Sequence, residues 1–227
     1  MRILVTGADQ PLGERVAGAL HHQHRLRLCG RGSGPAQPVA EYRQADLRSA
    51  DQVAQVLAGM EAVLHFSSFD PPPAVDPQEE MDLLEHASLG TYHLFEAVRK
   101  LNLNRVVLAS TLAFFDAYPE HYRIDELWRP RPSTQAHELA PWLTELVARE
   151  FAREGGIYAV GLRLAPLGND PRRNTTPAEA LLAIDRALVL KFTVPGYRWH
   201  VYHIGPPDRF IRREAHLRLG FPAAEGL

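Results

Sequence analysis

Short apolar runs bounded by Gly, Pro, Asn or Asp recur along the chain, with helical spacing of apolar residues between them, and this alternation predicts βαβ units and a parallel sheet. Strands are predicted at Arg2–Thr6, Leu26–Cys29, Glu41–Gln44, Ala62–Phe66, Arg105–Ser110 and Tyr158–Leu164. Helices are predicted at Leu12–His22, Ser49–Ala58, Glu79–Leu101, Pro141–Glu154, Pro177–Leu190 and Arg209–Leu217. The continuous runs Ile3-Leu4-Val5 and Val106-Val107-Leu108-Ala109 suit strands covered on both faces. Leu143, Leu146, Val147 and Phe151 fall at i, i+3, i+4 and i+8, one face of an amphipathic helix. Two Pro-rich loops, Pro71-Pro72-Pro73 and Arg129-Pro130-Arg131-Pro132, follow strand regions directly, where an open α/β sheet places its ligand crevice.

Composition narrows the picture. The 227 residues, 45% hydrophobic and 23% charged, suit one large α/β domain or two small ones and exclude a disordered or fibrous chain. A net charge of −2 offers no basic excess for neutralising phosphates, so a nucleic-acid partner is not expected. One cysteine, Cys29, excludes an internal disulfide and a CxxC zinc site. His21, His22 and His24 gather at a helix end, where cations suit the dipole, and no metal site is expected there. No window approaches the roughly 20 apolar residues of a membrane span. The start does not read as a secretory signal, because only Ile3-Leu4-Val5 precedes Thr6-Gly7, so a cytoplasmic protein is expected.

The first strand runs through Thr6-Gly7-Ala8-Asp9-Gln10-Pro11-Leu12-Gly13 into a helix. Gly7 suits the tight turn and Gly13 the close packing of helix on strand, while Gln10 replaces the glycine that would let backbone approach a pyrophosphate. The segment resembles the TGxxGxxG signature of the short-chain dehydrogenase/reductase superfamily, in particular its extended branch of NAD-dependent epimerases and dehydratases. Further segments carry the resemblance in order: Asp46-Leu47-Arg48 after the third strand, Leu64-His65-Phe66-Ser67-Ser68 closing the fourth, Leu89-Gly90-Thr91 with Leu94-Phe95-Glu96-Ala97, Arg105 to Phe114, Leu162-Arg163, and Tyr202-His203-Ile204-Gly205. It covers nearly the whole chain and implies a doubly wound Rossmann-type parallel sheet. Residues 1–164 would form the dinucleotide-binding part and 165–227 an abbreviated substrate-side segment, within one compact domain.

The resemblance implies an NAD(P) cofactor held by Gly7, Gln10, Pro11, Leu12, Gly13, Asp46, Leu47, Phe66, Ser67 and Ser68, beside a nucleotide or sugar-like ligand. NAD users carry an acid at the end of the second strand for the ribose 2′-OH. This chain has Gly30-Arg31, and a guanidinium without an acid favours NADP, with Arg31 as a contact.

The superfamily's acid/base is a tyrosine four residues before a lysine. The only lysines are Lys100 and Lys191, preceded at that spacing by Glu96 and Ala187, so YxxxK is absent. By resemblance, the family's helix glutamate falls on Glu145, eighteen residues before Arg163 as in typical relatives, which puts the lysine position on Pro141 and the tyrosine position on His137; Ser110-Thr111-Leu112 likewise puts the Ser/Thr position on Leu112. Proline is tolerated in a first helical turn, so this helix is predicted to start one turn late, near Pro141. His137 and Thr111 remain as candidates for relocated chemistry. By resemblance, helices 79–101 and 141–154 would pair two copies into a homodimer.

Three functions stay open. The chain could be a catalytically degenerate NAD(P)-binding protein serving as sensor, regulator or subunit. It could be an active NADP-dependent oxidoreductase or epimerase on a sugar or small carbonyl substrate, with a relocated acid/base. It could also be a cofactor-free structural partner.

Overall fold

Seven parallel strands form one sheet in the order β3-β2-β1-β4-β5-β6-β7 in a computed structural model that describes residues 1–35, 38–71, 73–192, 196 and 198–221. In chain order these are β1 (Arg2–Thr6), α1 (Pro11–Leu20), β2 (Arg25–Gly30), β3 (Glu41–Gln44), α2 (Ala50–Leu57) and β4 (Ala62–His65). There follow α3 (Pro77–Glu85), α4 (Thr91–Lys100), β5 (Arg105–Thr111), α5 (Ala136–Glu154), β6 (Tyr158–Leu164), α6 (Pro177–Val189), β7 (Trp199–Ile204) and α7 (Arg213–Leu219). The strand order reverses between β1 and β4, and in such sheets the ligand crevice opens at that switch point, beyond the strands' carboxyl ends. Pro72, in the first Pro-rich loop, lies outside the described residues.

Period-2 alternation divides the core. Ile3 and Val5 point to the layer of α1, α6 and α7, where Val16, Ile184 and Leu219 are buried. Leu4 points to the opposite layer, where Val53 of α2, Phe95 of α4 and Phe151 of α5 cover the sheet. A smaller apolar group, Leu112, Phe114, Phe115, Ile124, Ala165 and Phe210, caps the carboxyl ends of β5, β6 and β7.

Four elements differ from the sequence expectation, the first being β7, which no predicted strand covers. The α5 helix begins at Ala136, so the late start near Pro141 is not found. Gln135 is the extended N-cap, and Pro141 sits in the second turn, where its missing N–H leaves the His137 carbonyl without its i+4 donor. Burial of Ala136, Ala140, Pro141, Thr144 and Glu145 along one face holds the helix through that defect. The helix expected over 79–101 is interrupted by a π turn, His86–Gly90. The extra residue rotates the buried face, so the outer α3 continues into α4 with Thr91, Leu94, Phe95 and Val98 against the sheet. The last helix starts at Arg213 rather than Arg209, after Arg212 has turned inward to the Gly205 carbonyl and Glu179.

Candidate functional site

The turn after β1 is shaped by its glycines. Gly7 takes φ +67°, and a Cβ there would lie 2.8 Å from Ser67 N. A Cβ on Gly13 would collide with the Gly7 carbonyl, so α1 can dock this closely only on hydrogen. Pro11 is the first residue of α1 and removes one N–H donor from the helix start. Gln10 makes no capping bond; its Nε2 donates instead to the Ser67 carbonyl at 3.3 Å, so its side chain spans from this turn to the end of β4.

Beside this turn lies a cavity of about 550 Å³. Gly7, Asp9, Gln10 and Ser67 form one side, Cys29 to Gly32 the end of β2, Ala45 and Leu47 the end of β3, and Glu79, Asp82, Leu83 and His86 the opposite wall. Those last four recur at i, i+3, i+4 and i+7, a single face of α3 carried into the π turn. His86 is buried, and its Nδ1 has no hydrogen-bond partner among the described residues. Burial and the nearby Arg31 charge push its pKa down to about 4.

Asp46 stands behind this wall with its charge engaged. Arg48 donates to Asp46 Oδ2 at 2.7 Å and to Asp82 and Glu85 at 2.9 and 3.1 Å, tying the end of β3 to α3. Burial works against the Asp46 anion, but the Arg48 hydrogen bonds outweigh it and hold the carboxyl down at about 2. Under the floor, His65 joins three elements: Nδ1 is 2.7 Å from Thr6 Oγ1 of β1 and Nε2 is 3.1 Å from Thr91 Oγ1 of α4. Burial, with the His86 charge, pushes the His65 pKa down to about 3.

These buried rings predict acid lability. Each His protonates near 6.5 when unfolded but resists protonation in the fold, so stability is fully present above pH 6.5 and is lost as pH falls toward 4. At about 1.4 kcal/mol per pKa unit, His65 and His86 should each remove about 2 kcal/mol between pH 7 and pH 5. Glu126, raised by burial to about 6, favours its neutral form in the fold and offsets part of the loss. Urea midpoints measured at pH 7 and pH 5 should therefore fall, and a flat profile would contradict neutral buried imidazoles.

The carboxyl ends of β5 and β6 carry the other candidate positions. Arg163 donates from Nε and Nη2 to the two Glu145 oxygens at 2.8 and 2.7 Å, both residues buried. One and two helical turns before Glu145 stand Pro141 and His137, on the same face of α5. The His137 ring is half-buried, with its nearest carboxylate, Glu138, at 3.9 Å. Leu112 is buried in the apolar cap, and its Cδ1 fills the space over Gly205. Thr111 Oγ1 accepts from Ala113 N–H at 3.1 Å, and Ser110 Oγ is buried without a partner among the described residues. A second cavity, about 440 Å³, runs along the outer strand β7 between Trp128, Trp142 and Trp199. It shares no residue with the glycine turn, and its Arg163 and Arg218 are paired with Glu145 and Glu214.

Residues 3–190 match the NAD dependent epimerase/dehydratase family. The chain belongs to that family. Among its relatives, uronate dehydrogenase of Pseudomonas syringae pv. tomato is 28% identical over 175 residues, 75% of this chain and 61% of that protein. Uronate dehydrogenase of Pseudomonas putida is 29% identical over 171 residues, 72% of this chain and 60% of that protein. The chain thus spans about 60% of the length of these relatives. A glucuronic acid dehydrogenase from Chromohalobacter salexigens superposes with a TM-score of 0.81 at 22% identity, covering 99% of this chain and 84% of that one. A variant of uronate dehydrogenase from Agrobacterium tumefaciens, complexed with NAD, superposes at 0.80 with 23% identity and the same coverages.

Of the cofactor positions expected from the epimerase/dehydratase resemblance, Gly7, Gln10, Arg31, Leu47 and Ser67 meet at the first cavity. Gly13 packs beneath Gly7, Pro11 opens α1, and Leu12 and Phe66 are core side chains. Asp46 faces Arg48, and Ser68 is buried with Oγ unpartnered among the described residues. Sequence reasoning missed Asp9, Asp82 and His86. The signal for the last two was the 3–4 spacing from Glu79; Asp9 lay in plain view inside the glycine signature. Among the described residues no helix is long and apolar enough to cross a membrane, and no cluster of three His, Cys, Asp or Glu is placed to hold a metal ion.

Proposed function

We propose that this epimerase/dehydratase family member binds a nicotinamide dinucleotide in the β1–α3 cleft but transfers no hydride, and serves as a nucleotide-responsive sensor or subunit. The observation that carries the reading is the Glu145–Arg163 pair. It ties α5 to β6 in one register, and in that register Pro141 and His137 stand where the family's lysine and tyrosine are expected. Proline can neither donate a proton nor hold a nicotinamide ribose, and Leu112 adds no hydroxyl at the Ser/Thr position. The cleft itself suits the adenosine half of the cofactor, with a glycine cradle that a Cβ would fill and Leu47 and the His86 ring in its wall. A bound nicotinamide would supply the hydride carrier; this chain's residues would hold its adenosine end. The exposed Tyr92, beside half-buried Leu146 and Val147 on α4 and α5, supports pairing with a second copy.

A second reading keeps the chemistry, favoured by the 28–29% identity to uronate dehydrogenases, with His137 as the acid/base. One experiment separates the readings. NAD or NADP at a hundredfold excess over Kd should stabilise the protein by about 2.7 kcal/mol, roughly 5–10 °C in Tm, with no change in nicotinamide absorbance on adding uronates or UDP-sugars. Turnover that disappears in His137→Ala would establish the second reading. No stabilisation at all would leave the cofactor-free scaffold.

A further inference from the structure

The end of β2 has no acid in its sequence, yet a carboxylate occupies that place. A Cβ built on Gly30 falls onto the Asp9 side chain, so Asp9 fills the volume a longer residue at position 30 would take. Two contacts hold it there. Ala8 N–H donates to the Cys29 carbonyl at 3.0 Å, which pins the turn beside β2, and Gly32 N–H donates to Asp9 Oδ2 at 2.8 Å. Oδ1 takes no hydrogen bond among the described residues, and the residue lines the cavity together with Leu47 and His86. The apolar Leu47 side chain and the neutral His86 ring in that lining suit a purine, which leaves the attached ribose beside Asp9.

We propose that Asp9, reaching over from the β1–α1 turn, is the carboxylate that receives the adenosine ribose hydroxyls and selects NAD against NADP. The inference rests on the dinucleotide reading above and reverses the NADP preference that Arg31 suggested. A ribose diol offers two donors to a carboxylate, whereas a 2′-phosphate offers only acceptors and negative charge. Arg31 does not cancel this: with Asp82 paired to Arg48, the cavity wall still carries Asp9 and Glu79 against the one guanidinium, a rim of net charge −1 with His86 neutral. The positive charge of Arg48 is committed to Asp46, Asp82 and Glu85.

Dissociation constants for NADH and NADPH, measured by fluorescence titration of the full chain, test the assignment. Wild type should bind NADH at least tenfold more tightly than NADPH. In Asp9→Asn the amide oxygen still accepts from Gly32 N–H but the charge is gone, and the ratio should fall to about one or invert toward NADPH through Arg31. The double variant Asp9→Ala/Gly30→Asp, which returns the carboxylate to the β2 backbone, should restore the NADH preference. An unchanged ratio in Asp9→Asn, with NADH still bound, overturns the role of Asp9 and leaves the dinucleotide reading standing. Wild type that binds neither nucleotide overturns both.

Discussion

Replacing Glu145 by alanine should destabilise the fold by about 3–5 kcal/mol, because it leaves the Arg163 guanidinium buried without its anion. Only 6% of the Arg163 side chain and 2% of the Glu145 side chain reach solvent, so water cannot substitute for the lost partner. The remaining neighbours supply no counter-charge: His203 Nε2 lies 3.4 Å from Arg163 Nη1, and the Phe114 and Phe115 rings, 5.8 and 5.5 Å from its Cζ, offer only cation–π contacts. Burial and the Arg163 charge hold His203 well below its ordinary pKa, so it adds no second positive charge near neutrality. Replacing both partners, Glu145→Leu with Arg163→Met, removes the desolvation cost as well and should come within about 1.5 kcal/mol of wild type. Urea denaturation of the two variants separates the cases; equal losses in both would mean that packing, not charge, dominates the site.

The second large effect is expected at Gly13. Alanine there places a methyl group against the Gly7 carbonyl, backbone against helix, and neither is the flexible end of a side chain. Either α1 moves away or the turn at Gly7 opens, and both deform the wall of the dinucleotide cleft. Binding of NADH should weaken at least a hundredfold, with a stability loss of about 1–3 kcal/mol for the overpacking. Gly18, on the same helix, is the control. A Cβ there meets nothing within 4 Å, so Gly18→Ala should leave binding unchanged and stabilise the helix by up to about 1 kcal/mol. Equal loss of binding in both variants would assign the effect to α1 as a whole.

The sheet was legible because a buried parallel strand must be apolar at consecutive positions, as Ile3-Leu4-Val5 and Val106-Val107-Leu108 are. The outermost strand, β7, was missed as a strand: Trp199-His200-Val201-Tyr202-His203-Ile204 is neither a continuous apolar run nor a clean alternation, and only Tyr202-His203-Ile204 stood out, through the family resemblance. The Glu145–Arg163 spacing was readable as a register only through the family resemblance; the structure supplies the physical reason, a buried pair of opposite charges that need one another. Pro141 misled for a related reason. A local rule that puts proline in the first turn lost to the burial of one whole helix face. The π turn was invisible because apolar periodicity does not distinguish a rotated face from a gap of one residue. Asp9 was in view but unread, since its role depends on the absence of a side chain at Gly30, 21 residues away, and no pattern along the chain encodes that vacancy.

The imidazole of His65 has a mechanical consequence. One ring fastens the strand that leads into the glycine turn, its own strand β4, which runs out toward Ser67, and the helix that bears Tyr92. The floor of the cleft and the outer helical layer are therefore a single stiff plate with no hinge between them at this point. Any opening and closing around a nucleotide has to come from the rim, the segments after β2 and β4, where Arg31–Gly34 and Phe69–Pro71 carry no helix or strand.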